Sequence, residues 1–336
     1  MTDPFSFAPP VPDALGVLSS TAPVAAGATH VRIDAAAAER FARARGGRPA
    51  PRLAEDALHC TFLPPRRRLN TLLVLEALNF SFWQREPRWR VRWGGQAHDG
   101  YWALAAALRR AIVEDALPVW DAAWLAGLQA PTLARLLRGE GPPPPLLPER
   151  LAHLREVGAV LLARWGGEFA HVVRAAQGDA VRLVHRIVAE FASFRDEAVW
   201  QGRPVRFYKR AQICAADLTR QFQGDPLGRL EGIERLTAFA DYKVPQVLRK
   251  EGVLVLEPGL AARIDRGEEL APGCAAEVEL RAATIWAVEW IARALNRQRA
   301  AGLPALLAAD VDYLLWAAGQ DKTGLPRYHL TRSVYY

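Results

Sequence analysis

Lysine is nearly missing from this chain. Of its 43 Lys and Arg residues only four, Lys209, Lys243, Lys250 and Lys322, are lysines. Long apolar runs are missing too. No stretch of about eighteen uncharged apolar residues occurs, so no membrane-spanning helix is expected. Cysteine is scarce: Cys60, Cys214 and Cys274 are odd in number and far apart, with no CxxC or Cys/His cluster. That excludes a disulfide framework or a zinc site and fits a reducing, cytoplasmic setting. No basic segment precedes an apolar stretch near Asp3, so no secretory signal is read. There is no Gly-rich phosphate loop, no HExxH and no G-x-S-x-G. The seven histidines are scattered, with no pair at i,i+4. A metal enzyme and a nucleoside-triphosphate enzyme are therefore disfavoured, and neither a metal nor a cofactor is expected.

What is present is an ordinary globular composition, 51% hydrophobic and 24% charged. The net charge of +7 permits an anionic ligand. It is spread along the chain, however, and its densest cluster is Arg66-Arg67-Arg68, the size of a solvated surface run. Direct nucleic-acid binding is not expected on this ground. Among the four lysines, Lys250 and Lys322 sit beside Glu251 and Asp321 and read as solvated. Lys209, in F-Y-K-R-A-Q at 207–212, has an aromatic flank. An ammonium there can shift its pKa or act as a compact point charge, which a guanidinium does less well.

Residues 1 to about 30 are rich in Pro, Ala, Ser and Thr without period and read as a mobile arm. Helical periodicity is read over 35–45, ended by the Gly/Pro-rich 46–51, and over 101–113, 149–165, 179–191 and 277–295; Pro304 opens a further helix through 310–316. In the 149–165 helix, Leu151, Leu154, Leu161 and Leu162 are expected to form one buried stripe. Alternating residues at 88–93 before Gly94-Gly95 predict a hairpin ending near 98–100, and 199–207 predicts another around Gly202. The fold class is mainly α, one helical domain over 31–336 with one or two small β-hairpins.

Candidate chemistry rests on carboxylates, Lys209 and aromatics. Asp241 follows Phe239-Ala240 and precedes a run opened by Val244-Pro245. At that helix N-terminus a carboxylate either caps main-chain N–H groups or serves as a catalytic group kept ionised by the dipole and a nearby cation, and the residues alone leave both open. Glu277 and Glu279 complement a helix dipole, and at most one of them faces a pocket. Asn79, Ser81, Phe82 and Trp83 make a polar-aromatic cluster that fits either a core edge or a sandwich for a flat ring.

Taken together, L-N-F-S-F-W at 78–83, G-Y-W at 100–102, F-Y-K-R-A-Q at 207–212, F-A-D-Y-K-V-P-Q at 239–246, E-V-E-L-R-A at 277–282 and H-x-x-R-x-x-Y-Y at 329–336 resemble the queuosine salvage proteins, the queuosine 5'-phosphate N-glycosylases. The resemblance runs in order from about residue 30 to the C-terminus. It implies a helical domain related to the helical DNA glycosylases. It implies hydrolysis of queuosine 5'-monophosphate to queuine and ribose 5-phosphate, with queuine going on to tRNA modification and a small-molecule nucleotide as the substrate. It also implies a site centred on Asp241 and Lys209. With the family in view, Asn79 or Glu279 is expected to read the base edge and Phe82, Trp83 or Tyr242 to stack on it. Lys209, Arg210 or Arg332, with His329 nearby, are the candidates for the 5'-phosphate. The alternative is a glycosylase acting on DNA or tRNA. Two departures from the family pattern stand out: Cys274 where a hydroxyl residue would cap the 277–295 helix, and Leu330-Thr331 between His329 and Arg332.

Overall fold

Some helices begin just after a short acidic side chain. Asp34 accepts from Ala37 N at 2.8 Å and Asp179 from Arg182 N at 2.8 Å, each satisfying a first-turn N–H that has no partner within its helix. In this computed structural model residues 5–46, 58–300 and 302–336 are described. Fourteen α-helices and six short strands follow in chain order among them: α1 (Val17–Gly27), β1 (Val31–Ile33), α2 (Ala35–Arg45), α3 (Pro65–Ala77), β2 (Arg90–Trp93), β3 (Gln96–Asp99), α4 (Gly100–Val113), α5 (Ala122–Ala126), α6 (Ala130–Leu136), α7 (Leu147–Trp165), α8 (Phe169–Ala175), α9 (Ala180–Glu190), β4 (Glu197–Trp200), β5 (Arg203–Arg206), α10 (Lys209–Gln221), α11 (Lys243–Lys250), β6 (Leu254–Leu256), α12 (Pro258–Asp265), α13 (Ala275–Gln298) and α14 (Ala308–Ala318). The fold is mainly α, as the periodicity predicts. No described helix is long and apolar enough to cross a membrane.

Both predicted hairpins form. β2 and β3 pair antiparallel across Gly94-Gly95, and β4 and β5 across Gln201-Gly202. All four turn residues have positive φ, the geometry that matches a tight turn to strand twist. A third pairing, β1 with β6, joins Val31 to Leu256 across most of the chain. Three-residue strands carry no readable period, so this pairing leaves no local trace in the sequence.

The chain divides into two compact units. One draws on the described residues up to 46, on Asp196–Lys209 and on Glu234–Arg332; the other on 58–195, on Arg210–Ile233 and on Ser333–Tyr336. In the first unit, α13 is buried on every side from Ala276 to Ala292, the pattern of a helix in the middle of a core. α1, α2, α11, α14 and the β1–β6 pair pack against it. Residues 5–30, read as an arm, include α1, whose Val17, Leu18, Thr21 and Val24 are buried. Trp286 Nε1 donates to Thr21 Oγ1 at 3.1 Å, and the Phe7 ring lies 5.3 Å from Trp286. Pro23 and the small residues around it hide this helix, because its burial depends on tryptophans more than 260 positions away.

In the second unit, α3 is buried from Leu69 to Ala77 and packs on α4, α7 and α8. α7 and α5 meet closely at Gly158, where an added Cβ would lie 2.3 Å from Ala126 N. The buried face of α7 is Arg150, His153, Leu154, Val157, Gly158 and Leu161. Of the leucines expected in the stripe, Leu162 is exposed and Leu151 is only half-buried. The 154–157/158–161 spacing follows the helical period, and Leu162 falls about 100° beyond it. α14 begins at Ala308 rather than Pro304, with Asp310 Oδ2 accepting from Leu307 N at 2.9 Å. α2 ends with Gly46 N donating to Ala42 O, as expected; the rest of the 46–51 stop lies outside the described residues.

Candidate active site

The sequence candidates fall in both units. Asp241, Lys209, Tyr242, Glu279, His329 and Arg332 belong to the first; Asn79, Ser81, Phe82, Trp83 and Arg210 belong to the second.

In the first unit, Asp241 is buried immediately before α11, and its Oδ1 accepts main-chain N–H groups from Lys243 and Val244, both at 2.8 Å. Its role as a cap is therefore real. The Lys209 ammonium is close enough to lower its pKa, as do the two N–H groups and Lys243. Burial outweighs them, and the Asp241 carboxyl sits above its ordinary value. The dipole and Lys209 favour the ionised form, as the sequence leads one to expect, but desolvation is the larger effect. This carboxylate has been stripped of water and is held by fixed donors.

Lys209 is the first residue of α10 and is itself buried. The turn leading to it is tight, with Tyr208 at φ 51°, a left-handed conformation uncommon for a residue with a side chain. Asp196 holds that turn. Its main-chain carbonyl accepts from Phe207 N at 3.0 Å and Tyr208 N at 3.3 Å, and its Oδ2 accepts from Lys209 N at 3.2 Å. Asp196 in turn receives two charge-assisted hydrogen bonds from Arg281 of α13, at 2.8 and 2.6 Å. Arg281 Nε donates to Ala240 O at 3.3 Å, and its guanidinium lies 3.8 Å over the Phe207 ring. Asp196 escapes sequence reasoning. The one available signal, Arg281 inside E-V-E-L-R-A, lies 85 residues away.

Both oxygens of Glu279 are engaged within the first unit. Its Oε2 accepts from Thr29 N (2.9 Å) and His30 N (2.8 Å) and lies 2.9 Å from His30 Nδ1, while its Oε1 accepts from Trp200 Nε1 at 3.2 Å. It ties the entry to β1 and the end of β4 onto α13, and its proposed contact with a base edge is withdrawn. Glu277 accepts from Gly273 N at 3.0 Å. Cys274 makes no side-chain cap, so the Glu277 bond satisfies only the N–H just outside the helix. The Tyr242 ring is half-buried, 5.0 Å from the Tyr328 ring. His329 is buried, and burial with Arg281 nearby pushes its pKa down to about 3. A neutral imidazole can hydrogen-bond but brings no positive charge to a phosphate. Arg332 pairs at the surface with Glu269, at 3.3 Å.

In the second unit, the 78–83 segment leaves α3 and is pinned by two buried arginines. Arg150 donates to Leu78 O (2.7 Å), Phe80 O (2.6 Å) and Ser81 O (3.2 Å). Arg210 donates to Glu76 O (3.1 Å), Ala77 O (2.7 Å) and Ser193 O. These guanidiniums satisfy carbonyls at the C-terminal end of α3, where positive charge is favoured. Arg210 is thereby withdrawn as a phosphate ligand. Asn79 Nδ2 donates to Glu76 Oε2 at 3.0 Å. Ser81, at φ 42°, donates through N to Tyr336 O and through Oγ to Ser333 O, both at 2.8 Å. The C-terminal residues thus lock this loop. Trp83 is buried, and Phe82 is half-buried beside Arg150.

Residues 61–336 match the family described as queuosine salvage protein. A Sphaerobacter thermophilus protein named queuosine 5'-phosphate N-glycosylase/hydrolase is 46% identical over 327 residues, 96% of this chain and 98% of that protein. The Mus musculus protein of the same name is 36% identical over 278 residues, covering 80% and 82% of the two chains. That of Schizosaccharomyces pombe is 32% identical over 266 residues, 75% of each.

Proposed function

Because the chain belongs to the queuosine salvage protein family, we propose that it hydrolyses the N-glycosidic bond of queuosine 5'-monophosphate, with Asp241 and Lys209 at the centre of the reaction. Water adds across the bond between C1' of the ribose and the base nitrogen. Hydroxyl goes to C1', giving ribose 5-phosphate, and the proton goes to the base, giving queuine. The queuine released is available for tRNA modification.

The observation that carries the assignment of residues is the buried Asp241 carboxylate, held by two N–H groups and the Lys209 charge. Glycoside cleavage develops positive charge at C1' in an oxocarbenium-like transition state. A carboxylate out of water interacts far more strongly with that charge than a hydrated one, because the local dielectric is low and its donors are already oriented. Burial makes the Asp241 anion costly before reaction, and the cation forming beside it offsets that cost. Lys209 opposes the uptake of a proton that burial favours at Asp241. The base is a 7-deazaguanine with carbon at position 7, so protonation at the usual purine N7 is closed to it. Help to the leaving group must come through its other polar edges. Tyr242, next to Asp241 in the chain, is the residue assigned to stack on the base, and the enzyme is assigned to the cytoplasm.

The test is chromatographic. Queuosine 5'-monophosphate, queuosine and queuosine-containing tRNA are incubated separately with the protein, and free queuine is quantified. Release from the nucleotide supports the reading. Release from tRNA alone would replace it with a nucleic-acid glycosylase.

A further inference from the structure

We propose that the buried Arg281–Asp196 pair is a positioning clamp for the reaction, one guanidinium fixing the main chain beside both Lys209 and Asp241. The proposal rests on the reading of Asp241 and Lys209 given above.

Three directed hydrogen bonds leave the Arg281 guanidinium, one from each nitrogen. Two go to the Asp196 carboxylate and the third to Ala240 O, the carbonyl immediately before Asp241. Asp196 then holds Phe207, Tyr208 and Lys209 through both its main chain and its side chain. Asp241 and Lys209 are 32 positions apart on different elements, and each is reached from Arg281 through a single intermediate. The Phe207 ring against the guanidinium excludes water and limits its tilt. Glu277 Oε1, 3.8 Å from Arg281 Nε, adds negative charge on the same helix.

A pair buried this completely is a poor device for stability. Desolvating two charges cancels most of their attraction, and apolar replacements of similar volume are often as stable. What it does provide is geometry: a planar fork on a carboxylate fixes distance and direction together, which lysine does not reproduce. Displacing a reacting group by about 1 Å costs on the order of 10²-fold in rate.

The test separates geometry from stability. Asp196→Asn, Arg281→Met and the double variant Asp196→Asn/Arg281→Met are compared with the parent for thermal midpoint, kcat, KM and the pH dependence of kcat/KM. Each single variant is expected to melt lower, since it leaves an uncompensated partner in the core. The double variant is expected to recover most of the midpoint while its kcat stays about 10²-fold down and its KM changes little. The acid limb of its pH profile should lie above the parent's, because a loosened Lys209 no longer holds the Asp241 proton off. A double variant whose kcat recovers with its stability, on an unshifted profile, would overturn the clamp. Asp241→Asn is run alongside. Parental turnover in that variant would instead overturn the reading on which the clamp rests.

Discussion

Val244 N donates to Asp241 Oδ1 at 2.8 Å, so the carboxylate assigned to catalysis also caps α11. A cap and the proposed catalytic group can be one carboxylate. The same N–H groups that complete the helix also orient the carboxylate and resist its protonation, and burial works against both.

Asp241→Asn should therefore be more stable than the parent at neutral pH while losing activity. Asparagine keeps an oxygen for both N–H groups and resembles the neutral carboxyl that burial favours. The folded pKa lies above its ordinary value of 3.8. The parent's stability is thus highest below that value and falls as pH rises through the raised folded pKa. The thermal midpoint of the variant should exceed the parent's at pH 7, and the gap should close as pH falls toward 4.

Lys209→Met should lower kcat and move the acid limb of the kcat/KM profile to higher pH, since the main charge opposing protonation of Asp241 is gone. Nucleotide and nucleoside substrates, run side by side, report its second candidate role. If Lys209 also holds the phosphate, the parent's preference for the nucleotide collapses in the variant; an unchanged preference removes Lys209 from phosphate binding.

Glu279→Ala should behave as a structural lesion. It strands Thr29 N, His30 N and Trp200 Nε1. Loss of one buried acceptor costs about 1–3 kcal/mol, and three donors share this one, so roughly 3 kcal/mol is expected. Thermal unfolding should show it, with KM for queuosine 5'-monophosphate unchanged in the folded protein. A selective rise in KM without loss of stability would return Glu279 to the base-reading role.

Glu289, buried on α13, has its pKa pushed up to about 7 by burial, against Arg293 and with Asp13. Its ordinary value is 4.5. Stability linked to it is present below 4.5 and lost as pH rises through about 7. Glu289→Gln should raise the midpoint at pH 8 and leave it unchanged at pH 4.5. A gain of equal size at both pH values would show that titration is not the cause.

Local features were legible. Periodicity over 35–45 and 179–191 announced helices, and Gly94-Gly95 and Gly202 announced hairpins, because each needs only its neighbours in the chain. Asp241 and Lys209 stood out through context: a carboxylate ahead of a Pro-opened helix, and one lysine kept among many arginines. What stayed hidden depends on partners far along the chain. α1 is held by Trp286, β1 pairs with β6, and Glu279 binds the main chain at 29–30. Arg281 meets Asp196 across 85 positions. No periodicity records such meetings, and a glutamate that ties strands together carries the same letter as one that reads a base. Arg210 shows the same limit: next to Lys209 it resembled a phosphate ligand, and three carbonyls claim it.

The most direct measurement is single-turnover release of queuine from queuosine 5'-monophosphate by the parent and by Asp241→Asn, with folding of both checked by circular dichroism. Rapid release by the parent and a rate about 10²–10⁴-fold lower in the folded variant are predicted, the range expected when a group acting in the transition state is removed. Equal release by the two proteins would contradict the placement of Asp241 at the reacting carbon.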